Sequence, residues 1–333
     1  MILIDALYIN NGGGKVLLDY LVKKLEKKYD NVFYIFDSRC SNDFQYVPEH
    51  RKVYMKASLV KRYQFYKNNN NKFGIFLCFG NLPPLIKLNL PVFTYFHNRL
   101  LINIPKHTVL KNFIMLKLKS LFLKIIVKNT DYVIVQSDII KQEFLKEIRF
   151  EENKILPYPF YEPLNYPNTN KIKNRFIYVS SGEEYKNHKR LLQAFKKAYD
   201  LTKSISLVVT IDSSYIKLYE EINILINKGY PIENLGFVSK EKLCLEYAKA
   251  EFTIYPSITE SFGISIIEAI EGGCKVIGAN LPYMHAVCKP SLLFDPLNID
   301  SIENAILTAM NNTLPNTEQK IFNKIDDIIS LLT

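Results

Sequence analysis

Two glutamates with seven residues between them, Glu260 and Glu268, bracket the run Ser261-Phe262-Gly263-Ile264. An apolar stretch, Phe252 to Pro256, precedes the pair, and a second, Lys275 to Gly278, follows it. This order reads as strand, short polar loop, helix, and then strand again after the helix-ending Gly272 and Gly273. The helix is expected to begin near Phe262 or Gly263. Its first backbone N–H groups lack partners inside the helix, the positive end of its dipole lies there, and a glycine lets a ligand come close. That combination suits a phosphate. At 1.5 Å per residue the two carboxylates would stand roughly 8–12 Å apart along the axis. A nucleoside diphosphate sugar laid over the helix tip would rest its phosphates on the N–H groups, leaving one carboxylate for ribose hydroxyls and the other for sugar hydroxyls.

An isolated pair of glutamates at this spacing recurs by chance, as a helix-capping charge and a solvated helix residue. The longer pattern is specific. Pro256-Ser257-x-x-Glu260-Ser261-Phe262-Gly263-Ile264-x-x-x-Glu268-Ala269, followed by Gly273-x-x-Val276-Ile277, resembles the signature of the large retaining glycosyltransferase family of GT-B fold. That family includes glycogen synthases, sucrose synthases and bacterial mannosyltransferases. The resemblance implies two Rossmann-like doubly wound domains facing across a cleft, and transfer of a sugar from a nucleotide-diphosphate sugar to a glycan or polyprenyl-linked acceptor with retention of configuration. It places Glu268, Ser261, Phe262, Gly263 and Ile264 at the donor, and gives Glu260 the holding and orienting of the sugar. Lys186 falls on the lysine that meets the diphosphate, in Tyr178-Val-Ser-Ser-Gly-Glu-Glu-Tyr-Lys186-Asn187-His-Lys-Arg-Leu-Leu-Gln-Ala194-Phe195. The family's arginine a few residues earlier is missing: Ser180, Ser181 and Gly182 stand there, so Arg175, Lys189 or Arg190 substitutes, or Lys186 works with backbone N–H groups alone. Gly12-Gly13-Gly14 resembles the loop after the first strand, with Gly13 and Gly14 approached by the donor. It is neither a dinucleotide fingerprint nor a Walker loop. His97 matches the histidine that meets the transferred sugar near the reacting carbon, with Asn98 and Arg99 beside it toward the acceptor. The sequence contains no D-x-D, so no metal and no cofactor are expected. The leaving charge would be met by fixed protein groups. A nucleotide-sugar epimerase on the same scaffold, or a sugar-nucleotide-binding subunit without turnover, are the alternatives.

Those residues need elements to hold them, and the chain alternates apolar strand patterns with amphipathic helix patterns almost throughout. This argues for parallel, doubly wound α/β sheets with the ligand at the carboxyl ends of strands. Ile2–Leu7 reads as a buried strand, Asn11–Gly14 as a loop and Lys15–Lys28 as a helix. Ile75–Phe79 and Val92–Phe96 read as strands ending at Gly80-Asn81 and at His97. Residues 1–158 form the expected first, acceptor-side domain. A stretch rich in proline and asparagine, 159–174, reads as the connection. Residues 175–315 form the nucleotide-sugar domain, with helix Arg190–Tyr199, helix Tyr215–Lys228 and a strand at Leu235–Val238. Residues 316–333 read as a helix, which the resemblance implies packs back on the first domain.

The composition bounds the rest. The 333 residues, 48% apolar and 23% charged, describe a globular chain of about two domains. Five cysteines in no metal-binding spacing suggest reduced thiols and a cytoplasmic setting. No basic leader precedes a long apolar run, and no span of membrane length occurs. The formal net charge is +10. From Lys106 to Lys128 there are six lysines (Lys106, Lys111, Lys117, Lys119, Lys124, Lys128) and no acid, interleaved with leucine, isoleucine and phenylalanine. That suits a basic amphipathic helix at the inner face of an anionic membrane, or a core-packed helix with a lysine-rich outer face. Nucleic-acid binding is not indicated: no zinc-finger spacing, basic zipper or aromatic-basic interleaving is present.

Overall fold

The computed structural model describes residues 1–104 and 108–333. The chain forms two compact units, residues 1–162 with 322–333, and residues 163–321. The first unit contains strand β1 (Ile2–Ala6), helix α1 (Gly12–Glu26), strands β2 (Val32–Asp37) and β3 (Lys52–Met55), helix α2 (Leu59–Asn69), and strands β4 (Ile75–Cys78) and β5 (Val92–Phe96). Helix α3 (Leu110–Ile126), strand β6 (Tyr132–Val135), helix α4 (Asp138–Glu147) and strand β7 (Ile155–Pro157) complete it. The seven strands are all parallel, in the order β3-β2-β1-β4-β5-β6-β7. Every residue of β1 and β5 is buried, as continuous apolar runs in a sheet covered on both faces require. Helix α1 turns Leu17, Leu18, Leu21, Val22 and Leu25 inward, and Ser137 caps α4 by accepting from the Ile140 N–H at 3.3 Å.

The second unit runs β8 (Ile172–Tyr178), α5 (His188–Thr202), β9 (Ser206–Val209), α6 (Ile216–Asn227), β10 (Ile232–Asn234) and α7 (Lys240–Lys249). It continues with β11 (Ala250–Tyr255), α8 (Ile264–Glu271), β12 (Lys275–Ala279), α9 (Pro282–Val287), β13 (Cys288–Lys289), β14 (Leu292–Phe294), α10 (Ile299–Asn311) and β15 (Glu318–Gln319). Its six-stranded parallel sheet has the order β10-β9-β8-β11-β12-β14, and β13 pairs antiparallel with β15. The final helix, α11 (Ile325–Leu332), belongs to the first unit and buries Ile325, Ile328, Ile329 and Leu332. Asn323, just before it, donates to the Tyr161 carbonyl at 2.7 Å and to the Tyr20 hydroxyl at 3.2 Å.

Each unit is thus a Rossmann-like sheet, and each reverses its strand order once. In the first unit the chain runs outward from β1 in one direction and from β4 in the other. In the second the same reversal falls between β8 and β11. Loops leaving the two central strands diverge there, so a crevice opens at their carboxyl ends.

Four local expectations are corrected. Gly12-Gly13-Gly14 is the first turn of α1 rather than a loop, with Gly12 at φ +62°. The strand near 235 lies earlier, at Ile232–Asn234, because Gly236 at φ +62° turns the chain out of the sheet. The expected linker 159–174 already contains the start of β8 at Ile172. The tail is helical only from Ile325, since Glu318 and Gln319 pair with Lys289 and Cys288. All five cysteines are free and buried. No helix among the described residues is long and apolar enough to cross a membrane.

Candidate functional site

In the second unit the two loops at the strand reversal carry the residues singled out above. Residues after β8 lead through Lys186 into α5, and residues after β11 lead through Glu260 into α8. A backbone bond from the Ile258 N–H to the Tyr185 carbonyl, 2.8 Å, ties these loops together. Asn187 reinforces the tie. It sits at φ +62° and donates from Nδ2 to the carbonyls of Pro256 (3.1 Å) and Pro296 (2.7 Å). The result brings the Lys186 ammonium 2.7 Å from Glu260 Oε1. Tyr255, at the end of β11, donates its hydroxyl to the same oxygen at 3.1 Å. Burial, and then the Glu260 charge, hold the Tyr255 phenol well above its usual pKa, so it remains a donor.

Helix α8 begins at Ile264, one or two residues later than expected, with Gly263 in the left-handed region at φ +73°. A side chain there would be strained, and its Cβ would fall 2.9 Å from Ile266 Cδ1. Phe262 is buried beneath this turn, and Ser261 lies between it and Glu260. Because the helix starts at Ile264, the axial estimate of carboxylate spacing applies only from there on, to Glu268 and not to Glu260. Glu268 lies on the second turn, and its Oε2 accepts from the Tyr247 hydroxyl at 3.3 Å. Both carboxylates are therefore oriented by buried tyrosines. The N–H groups and the dipole at the α8 start, an ammonium and two positioned carboxylates together suit a diphosphate flanked by hydroxyl-rich groups.

The turn where the arginine is missing has its own packing. His188, 3% exposed, lies 2.9 Å from both the Ser181 carbonyl and Ser180 Oγ, and its ring packs on Tyr178. Burial lowers its pKa to about 4, so the ring is neutral and its Nε2–H donates to the Ser181 carbonyl. A Cβ on Gly182 would come within 2.4 Å of the Tyr215 ring. Tyr215 in turn donates to Glu183 at 2.6 Å. Burial raises the Glu183 pKa, but hydrogen bonds from Ser181 and Tyr215 outweigh it and hold the carboxyl below its ordinary value. Of the three proposed substitutes, Arg175 is committed to Glu233 and Glu246, each at 2.7 Å. Arg190 donates to Asn187 Oδ1 at 2.9 Å, and Lys189 is exposed. Arg175 is thereby removed as a candidate. Lys186 is the cation the structure brings against Glu260.

In the first unit β1, β4 and β5 end together. His97 follows β5 with its Nε2 against the first turn of α1, where a Cβ on Gly14 would fall 2.9 Å from that atom. Gly13 precedes it in the same turn. Asn81, at φ +67° after β4, accepts on Oδ1 from the backbone N–H groups of His97 (2.7 Å) and Asn98 (2.9 Å). With that oxygen committed, its Nδ2 faces His97 Nε2 at 3.3 Å and donates to it, which places the ring proton on Nδ1. Nδ1 is buried and has no hydrogen-bond partner among the described residues. Burial lowers the His97 pKa to about 4, so the ring is neutral near pH 7. Asn98 Oδ1 caps the next turn by accepting from the Leu100 N–H at 3.2 Å. Arg99 is directed elsewhere than expected: its Nε donates to Glu143 Oε2 at 2.7 Å and a second nitrogen bonds Oε1, so the guanidinium is clasped to α4. Sequence reasoning assigned no role to Asn81 or His188. For both, the available signal was a polar residue directly after a predicted apolar strand or inside the matched segment.

Residues 165–325 match the family described as glycosyl transferases group 1. Over 142 residues, 41% of this chain and 36% of the relative, the sequence is 30% identical to O-antigen chain mannosyltransferase B of Escherichia coli. Over 187 residues, 55% of this chain and 52% of the relative, it is 26% identical to O-antigen chain mannosyltransferase RfbU of Salmonella typhimurium. The chain therefore matches about half or less of the length of these curated relatives. A solved structure of Anabaena HepE in complex with UDP and glucose resembles it with a TM-score of 0.67, at 13% identity over 93% of this chain and 90% of that one. At that identity the likeness shows the fold.

Proposed function

From the match of residues 165–325 to the glycosyl transferases group 1 family, we propose a glycosyltransferase that moves a sugar from a nucleotide-diphosphate sugar to a glycan or lipid-linked acceptor. The observation that carries this reading is the Lys186–Glu260 pair at the strand reversal, directly ahead of the α8 N-terminus. Lys186 and the first N–H groups of α8 take the diphosphate, and Glu268 takes ribose hydroxyls. Glu260, steered by Tyr255, orients the sugar. The resemblance also gives the neutral ring of His97 to the transferred sugar and puts Gly13 and Gly14 at the donor. Asn98 stays with the acceptor, whereas Arg99 serves to position the loop through Glu143. No carboxylate of the matched motifs serves as a covalent nucleophile. Retention then comes from front-face attack, the departing phosphate taking the acceptor's proton while fixed charges stabilise it without a metal.

The named activities of the two O-antigen relatives support a role in surface-polysaccharide assembly, and the UDP and glucose of HepE support a sugar-nucleotide donor. Assembly on a lipid carrier places the enzyme in the cytoplasm at the inner face of the membrane. The absent arginine favours one other reading, a binding subunit without turnover. Product analysis with and without acceptor separates the possibilities. Acceptor-dependent glycoside supports the transferase, an isomerised sugar nucleotide formed without acceptor overturns it in favour of an epimerase, and tight binding without any product assigns the binding subunit.

A further inference from the structure

Helix α3 is turned the opposite way from a packed amphipathic helix. Its buried residues are Ser120, Leu123 and Ile126, with Leu116 and Phe122 half-buried beside them. At about 100° per residue, Leu110, Ile114, Leu118, Leu121 and Ile125 fall within an arc of roughly 80°, on the side opposite that buried face. They are 72, 51, 63, 57 and 57% exposed. Lys117 and Lys124 border this stripe on one side and Lys111 on the other, with Lys119 beyond it. Lys124 pairs with Glu147 at 3.2 Å, and no acid occurs in the helix itself. A stripe of this width pointed at water needs a partner.

We propose that α3 lies in the interface of a bilayer containing anionic lipid, its leucine-isoleucine stripe among the acyl chains and its lysines on the headgroups. An apolar stripe edged by lysines is the pattern of a helix lying in the membrane plane, with lysine stems reaching up to the phosphates. Charge selects this occupant over a second copy of the chain. A two-fold contact through the same face would set the flanking Lys111 and Lys117 of the two copies close to like charges, whereas anionic headgroups neutralise them. The proposal rests on the transferase reading for its meaning, because a lipid-linked acceptor presents its sugar at that surface. Its test needs no transfer.

The full chain is sedimented with equimolar phosphatidylglycerol–phosphatidylcholine vesicles and with phosphatidylcholine alone. Binding to the anionic vesicles is expected at low salt, with a weaker remainder at several hundred millimolar where the Debye length shortens. Leu118→Asp with Leu121→Asp should lower binding at least about tenfold at both salts. Lys111→Gln, Lys117→Gln and Lys119→Gln together should remove the salt-sensitive part only. The chain contains no tryptophan, so Leu118→Trp gives a single reporter. Its emission should shift to the blue on vesicles and be quenched by brominated lipid, while Leu201→Trp, at an exposed site on α5, should do neither. Both sites are exposed, so these variants should fold, and circular dichroism checks that they do. Three results would overturn the proposal: no binding at low salt, binding indifferent to the aspartates, or a Leu118→Trp reporter that stays in water. A concentration-dependent dimer broken by Leu118→Asp in a chain that ignores vesicles would overturn it too, assigning the stripe to a second copy. Transfer to a soluble acceptor should survive every α3 variant, so loss of vesicle binding and failure of the transferase reading are separate results.

Discussion

Lys186 and Glu260 are held by one another at 2.7 Å, so changing one alters the charge state the other faces. Glu260→Gln should leave the fold intact and lower kcat more than donor affinity, because the role proposed for the lost group is to orient the sugar. Glu268→Ala removes an oriented carboxylate and should weaken the nucleotide sugar by about 1–3 kcal/mol, the range for hydrogen bonds to charged groups, measured by isothermal titration. Activity within about twofold of wild type in both variants would dismiss the site. His188 gives a pH dependence. Its folded pKa, about 4, lies below the ordinary 6.5, so the fold prefers the neutral ring. The stability this contributes is fully present above pH 6.5 and is lost as pH falls toward 4, by about 1.4 kcal/mol per unit. His97, whose pKa burial also lowers to about 4, adds a like slope, so urea unfolding at several pH values should show the sum of the two and His188→Gln should remove about half of it. The glutamates and Lys186 were legible because each lies within a short motif, residues 256–269 or 178–195. Asn81 was not, because its role depends on β4 and β5 being neighbours in the sheet, and on φ +67° aiming its amide at His97.

Among the elements, the start of α8 decides whether its N–H groups can seat the proposed phosphates. Gly263→Ala places a Cβ in the left-handed region and should cost about 1–2 kcal/mol of stability. Gly229, at φ +85° with nothing within 4 Å of a Cβ, provides the control. Gly229→Ala should cost a similar amount by chemical unfolding but leave donor affinity unchanged, whereas Gly263→Ala should weaken donor binding as well. Equal donor affinity in the two variants would mean that the helix tip does not seat the phosphates. Strand and helix types were readable from periodicity, since buried parallel strands such as β1 and β5 are unbroken apolar runs. Two of the boundaries that moved share one cause: glycines. Gly12 to Gly14 carry no apolar period, yet their flexible backbone is taken up into the first turn of α1. Gly236 ends a strand before the apolar residues that follow it. The outward turn of α3 was likewise not readable, because an apolar stripe has the same period whether it faces a core or a bilayer.

The whole chain is two Rossmann-like units, each with its chemistry-bearing loops at the one place where its strand order reverses. Alternation along the sequence was enough to show parallel sheets, and the GT-B resemblance supplied the pairing of two such units. The return of the C-terminal helix to the first unit was expected from the resemblance, whereas the division after Glu162 and the point of return at Phe322 were harder to place. Prolines on both sides of the boundary make the connection look longer than it is. A chain built this way should bind its donor through the second unit's reversal point, and ligand binding raises the melting temperature by mass action, about 2.7 kcal/mol at a hundred times Kd. The most direct measurement is therefore a thermal-shift screen of UDP-, GDP-, ADP- and CMP-sugars on the wild type, Lys186→Ala and Glu268→Ala. One nucleotide class should raise the wild-type melting temperature by several degrees, with the shift much reduced in both variants. No shift with any sugar nucleotide, or an equal shift in all three proteins, would contradict the assignment.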